Sequence, residues 1–290
     1  MLSAGQPDLP DDLPWKQQQA FLLFDGATIT DLPVQVKRLS PAASTFALFD
    51  QSPFVELRDI SPLLVAIEQP DEPLMEFFLQ RAHEESGVLL FSPAPAHAVA
   101  EHLRKLVAVK LPTDQSALLR LADAAVMRAM LASADQSLFG PLSCVVSADC
   151  VNVLWHCQRP RQAECPTLVA PYRLSVEQNT ALDLVDRRRT LLDLDAHLLK
   201  HFCAFHVGET PGLRWPMLEQ IATRSDALGL SNKSELFNYA NLMAWLDGHE
   251  IAQHPQIHHL LHAPSLQPAG ERVALAAELA LRWASQRARP

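Results

Sequence analysis

The feature that most restricts the fold of this chain is a change of periodicity part-way along it. Up to Trp155 short apolar runs alternate with segments of helical spacing, and beyond Tyr172 only helical spacing remains. Ala20 to Asp25, Thr45 to Phe49, Leu63 to Ile67 and Val88 to Phe91 have the length and apolar continuity of buried strands. Between them lie a short helix over Leu32 to Leu39 and a helix opened by Pro73, with Gly87 expected to end it. Ala98 to Val107 follows as a helix whose apolar face is Val99, Leu103, Leu106 and Val107. Leu118 to Leu121 reads as a further strand, Asp123 as the cap of the next helix, and Ser143 to Val146 with Val151 to Trp155 as an antiparallel hairpin. Strands alternating with helices of this length imply crossover connections and a mainly parallel or mixed sheet flanked by helices.

Pro160, Pro166 and Pro171 interrupt regular structure between Cys157 and Tyr172. The expected organisation is therefore a flexible leader over residues 1–19, an α/β domain over 20–160 and an all-α lobe over 172–290. The lobe opens at Ser175, where Gln178 completes a capping box. A long amphipathic helix through Phe202, a helix from Met217 to Leu228 stopped by Gly229, a third after Ser231 or Ser234, and two more around Ile257 to Leu261 and Glu271 to Trp283 complete it.

Composition narrows the partners. A net charge of -9 and a pI near 5.7 oppose nucleic-acid binding, which needs clustered Lys and Arg, and oppose an acidic membrane surface. Residues Met1 to Pro14 have neither a basic start nor an apolar stretch, and no apolar run reaches the roughly 20 residues that span a bilayer, so a cytoplasmic location is expected. The five cysteines form no Cys-x-x-Cys pair, as suits reduced thiols.

Motifs for chemistry are sparse. The nine glycines make no phosphate loop, and no Gly-x-Ser-x-Gly elbow exposes a serine. His197 and His201 are four apart on an expected helix, with Cys203 and His206 behind them, which is zinc-ligand spacing, but Leu198 stands where the catalytic motif has Glu. A metal- or thiol-dependent hydrolase using the His197 to His206 region is the enzymatic alternative. A second cluster, His254, His258, His259 and His262, has no carboxylate at ligand spacing. His156 and Cys157 are consecutive on a strand and so point to opposite faces, which opposes a catalytic dyad. Arg187, Arg188 and Arg189 read as a solvated face neutralised by Asp183 and Asp193. No catalytic residue, metal or cofactor is assigned. The candidates for contact with a partner are Trp15, Asp25, Arg120, Asp123 and Trp215, with Trp215 expected to be partly exposed between two elements.

Seven segments in order resemble a known family: Phe21-Leu22-Leu23-Phe24-Asp25-Gly26-Ala27, Ala47-Leu48-Phe49, Ile60-Ser61-Pro62-Leu63-Leu64-Val65, Gly87-Val88-Leu89-Leu90-Phe91-Ser92, His102-Leu103-Arg104-Lys105-Leu106, Leu119-Arg120-Leu121-Ala122-Asp123 and Phe139-Gly140-Pro141. They are similar to the type VI secretion effector chaperones, or adaptors. Two departures stand out. The family's Pro-Arg pair after the aspartate is Ala124-Ala125 here, and Leu63 takes the place of a tyrosine. The resemblance implies a non-enzymatic chaperone without cofactor that binds a toxin effector and delivers it to the secretion spike protein. A self-associating scaffold without a client is the third reading.

Overall fold

The computed structural model describes residues 8–50, 52–162 and 165–287, and divides into two compact units, Met1–Val185 and Asp186–Pro290. In the first unit, β1 (Gln19–Phe24), β2 (Thr45–Ala47), β3 (Leu63–Ile67), β4 (Gly87–Ser92), β7 (Cys144–Asp149) and β8 (Leu154–Gln158) form a sheet in the order β2-β3-β1-β4-β7-β8. The helices between them are α1 (Leu32–Leu39), α2 (Pro73–Gln80), α3 (Ala96–Val107) and α4 (Ala124–Leu131). A second, three-stranded sheet runs β6-β5-β9, from β5 (Ala108–Lys110), β6 (Ser116–Leu118) and β9 (Tyr172–Arg173).

The α/β lobe with mixed pairing followed by an all-α region is thus what the chain forms, and among the described residues parallel pairing occurs only between β5 and β9. Every pair in the six-stranded sheet is antiparallel and the three-stranded sheet joins an antiparallel to a parallel pair, so of the expected mainly parallel or mixed arrangement the mixed one is formed. The crossover argument nevertheless holds. β3 and β4 both run antiparallel to β1 and therefore parallel to each other; α2 carries the chain from one to the other, with β1 inserted between them. An apolar run marks a strand as buried on both faces without giving the direction of its neighbours.

Alternation along each strand feeds two cores. Phe21, Leu23, Leu64, Val88, Leu90 and Val145 meet α3 and α4 through Val99, Leu103, Leu106, Met127 and Met130. Leu22, Phe24, Val65, Leu89, Phe91 and Val146 meet α1 and α2 through Leu32, Val36, Leu74, Phe77 and Phe78. Leu13 is buried on this second side, and Trp15 sets its ring edge-on to Phe91 at 5.0 Å.

Two local expectations shift. Gly87 does not end α2 but begins β4; the left-handed residue between them is Glu85, at φ 53°. The strand expected at Leu118 to Leu121 ends at Leu118, leaving Arg120 in a turn.

The long helix α5 (Val176–His201) begins in the first unit, behind the expected Ser175–Gln178 capping box, and ends in the second. Helices α6 (Pro211–Ala227), α7 (Lys233–Leu246), α8 (Pro255–His262) and α9 (Ala269–Arg287) follow. Helix α6 starts at Pro211 behind a Thr210 cap, six residues before its expected start, so Trp215 lies inside the helix, half-buried. The cap of α7 is Asn232, with Glu235 closing the box. Gly229 takes the expected left-handed turn at φ 74°. Among the described residues no helix is long and apolar enough to cross a membrane.

Candidate functional site

One end of the six-stranded sheet collects several of the buried polar groups of the first unit. The register brings the end of β1 beside the start of β3 and of β4, and the end of β7 beside the start of β8. Asp25, Ser61, Glu85, Ser86 and Asp149 therefore lie at the same end, all buried. Such burial requires that every group find a partner, and the partners come from the loops.

Asp25 follows β1 directly, and its N–H donates to the Ser86 carbonyl at 2.9 Å. Its Oδ1 accepts from the Ala27 N–H at 2.9 Å, and its Oδ2 from the Thr28 hydroxyl at 3.0 Å, so the carboxylate closes its own turn. The Arg120 guanidinium donates through Nη2 to the same Oδ2 and, at 3.2 Å, to Thr28 Oγ1. Gly26 is required between them: a Cβ there would stand 2.3 Å from the Ser61 carbonyl oxygen.

Asp123, three residues after Arg120, caps α4 by accepting from the Ala125 and Val126 N–H groups at 3.0 and 3.1 Å. Its own N–H donates to the Arg120 carbonyl at 3.0 Å. Arg128, on α4, reaches the Ala148 carbonyl at 3.0 Å and Asp149 at 3.6 Å. Glu85 accepts from the Cys150 N–H at 2.7 Å through Oε1, and its carbonyl accepts from the Ala124 N–H. Asp149 holds the β7–β8 turn by accepting from Val151, Asn152 and the Asn152 side chain, with His156 at 3.4 Å.

Of the five sequence candidates, Asp25, Arg120 and Asp123 meet here. Trp15 lies on the α1/α2 side of the sheet, and Trp215 belongs to the second unit, half-buried against its core. The reading of Asp25 as a turn former and of Asp123 as a cap agrees with their bonds. The partner of Arg120 is Asp25, 95 residues away. Glu85, Arg128 and Asp149 were not singled out in the sequence, and the only signal they offered was a charge beside a strand or helix end.

The histidine-rich regions are put to other uses. His197 Nε2 meets Asn241 Oδ1 at 2.7 Å, and the His197 and His201 rings lie 4.9 Å apart. His206 is buried and turns away from both, to Asp195 at 2.6 Å, while Cys203 is exposed. Asp195 also receives Arg214 through Nε and Nη2, both at 2.6 Å. Burial raises its pKa, but the hydrogen bonds from Arg214 and then His206 outweigh this and hold it at about 2. Among the described residues no group of three or more His, Cys, Asp or Glu side chains is placed to hold a metal ion. Arg187 pairs with Asp226 at 2.9 Å, across to α6, and Arg189 with Asp186 at 3.0 Å.

Two further family-like segments also touch. Gly140, at φ 50°, lies against the ring of buried His102, whose Nε2 donates to the Leu138 carbonyl at 2.8 Å.

Residues 20–138 match the family described as Domain of unknown function (DUF4123). The chain is 26% identical over 276 residues to Accessory protein VasW of Vibrio cholerae serotype O1, covering 91% of this chain and 88% of that protein. No solved structure matches. The matched segment supplies Asp25, Ser61, Glu85 and Arg120 of the charged sheet end, in a chain that is similar to a Vibrio cholerae accessory protein through most of its length.

Proposed function

We propose that this protein is a cytosolic chaperone or adaptor of a type VI secretion system: it binds a toxin effector, keeps it soluble and assists its loading onto the spike protein, without catalysing a reaction. The observation that carries this reading is the extent of the similarity to an accessory protein, which takes in the helical unit as well as the DUF4123 domain. A similarity that runs through both units fits a protein used whole, and holding a client needs surface rather than a reactive constellation. The charged groups at the sheet end support the same reading, because the bonds they make are turns, caps and ion pairs that stiffen a surface.

The test is co-expression with the products of the neighbouring genes, and deletion of the gene for this chain in the producing cell. The expected result is a soluble complex of this chain with an effector among them and loss of effector export on deletion. Normal solubility and export of the effector in the deletion strain would overturn the proposal.

A further inference from the structure

The loop between β2 and β3 is built to hold aliphatic side chains in water. Val55–Ile60 forms two short 3-10 turns joined at Leu57, and all six residues are exposed, including Val55 at 49%, Leu57 at 43% and Ile60 at 42%. Single exposed aliphatics are ordinary, whereas three within six consecutive residues form a patch.

Both ends of the loop are fastened. On one side Phe54 packs on the α3/α4 core, with its ring 5.7 Å from that of buried Phe49. Ser52 Oγ donates to the Phe49 carbonyl and accepts from the Phe54 N–H. On the other side Ser61 Oγ accepts from the Phe49 N–H and donates to the Pro62 carbonyl, while Gly26 lies against the backbone of Ile60 and Ser61. The patch therefore adjoins the turn that carries Asp25 and Thr28, to which Arg120 bonds.

Charge selects the occupant. The first 100 residues contain fourteen acidic and five basic side chains, which equals the whole net charge of the chain. Within the loop Glu56, Arg58 and Asp59 stand among the aliphatics and Asp50 precedes it, all exposed, so the rim carries more acidic than basic groups. The same face of a second copy, or an anionic lipid surface, would bring like charge to the patch. We infer that Val55, Leu57 and Ile60, rimmed by Glu56 and Asp59, form the docking face for a basic amphipathic segment of a protein partner, one that sets aliphatic side chains beside Lys or Arg. This rests on the chaperone reading only for the identity of that partner as the client.

The test uses the full chain, its L57S/I60S and E56K/D59K variants and, as a control in the helical unit, L281S. The probes are a short helical peptide of Leu and Lys and its Leu and Glu counterpart, followed by calorimetry and by urea unfolding of each variant to verify the fold. The Leu/Lys peptide is expected to bind the natural chain and L281S alike, roughly tenfold more weakly to L57S/I60S and E56K/D59K, with the Leu/Glu peptide gaining on E56K/D59K. Equal binding to all four proteins overturns the inference, as does a homodimer that L57S/I60S dissolves. Co-expression with the products of the neighbouring genes separates the two readings. A client captured equally by the natural chain and both loop variants overturns this face and leaves the chaperone standing. Peptide discrimination without any captured client overturns the chaperone reading and leaves the face.

Discussion

Arg120 donates to the buried carboxylate of Asp25 from 95 residues further along the chain, clamping the turn after β1 to the turn before α4. The two residues stand in separate family-like segments, and their contact explains why both segments carry a charge. Replacing Arg120 with Ala leaves Asp25 with the Ala27 and Thr28 bonds, so the loss is about 1–2 kcal/mol, moderated by the solvent that reaches the guanidinium. Asp25→Ala removes the turn as well and costs about 2–4 kcal/mol. Urea midpoints that rank the two variants in the opposite order would count against the clamp.

Gly140→Ala is expected to destabilise the first unit by about 2–4 kcal/mol, combining a left-handed backbone with overpacking. Its Cβ would fall 2.3 Å from the His102 ring, which is buried and unable to yield without losing the Leu138 bond. The double variant Gly140→Ala with His102→Ala should recover part of that loss in thermal unfolding, because the ring is the obstruction.

His102 also makes stability depend on pH. Burial lowers its pKa below the ordinary 6.5, the hydrogen bond to Leu138 opposes this, and Lys105 adds to the lowering. The unfolded chain therefore takes up a proton that the native one refuses, so this contribution is present above about pH 6.5 and is lost as pH falls from there toward the native value. Urea unfolding between pH 7 and pH 5 should show a slope that flattens in His102→Gln.

In the helical unit, Asp195 is the hinge of a buried triad with His206 and Arg214. Its pKa near 2 lies below the ordinary 3.8, so its contribution is in place above pH 3.8 and disappears as pH falls through 2. Asp195→Ala strands a buried guanidinium and should cost about 3–5 kcal/mol in calorimetric unfolding. Replacing the exposed partner of a surface pair, as in Lys233→Ala opposite Asp193, should cost under about 1 kcal/mol.

The thiols should divide by environment. Burial, then the hydrogen bond and charge of Cys157 with its Sγ 3.1 Å away, pushes the Cys144 thiol up to about 12, whereas Cys203 is exposed. Alkylation near pH 8 followed by peptide mass mapping should modify Cys203 rapidly and spare Cys144 until the chain is unfolded in urea. Early labelling of Cys144 would contradict the buried assignment.

Local pattern was enough to define most elements. The bounds of α1 and β3 follow from apolar spacing and punctuation, and the Asp123 cap and the Ser175–Gln178 box follow from side chains that bond within three residues. Those interactions are short in sequence, so the sequence carries them openly. Helix α6 begins at Pro211 and not at the expected Met217, because the Thr210 side chain caps it there and Pro216 is accommodated inside its first turns.

Direction, register and the charged cluster were decided only in three dimensions. An apolar run such as Leu22-Leu23-Phe24 is equally suited to parallel and antiparallel neighbours, and the insertion of β1 between β3 and β4 depends on packing across the whole sheet. The Asp25–Arg120 bond joins positions whose separation exceeds any local period, and Glu85 in a left-handed turn is specified by Cys150 and Ala124 from other segments. What the sequence determined by itself was the kind of most elements and the resemblance of its ordered segments. The tertiary structure decided which charges meet, because a buried carboxylate accepts whatever donor the completed sheet and loops bring to it.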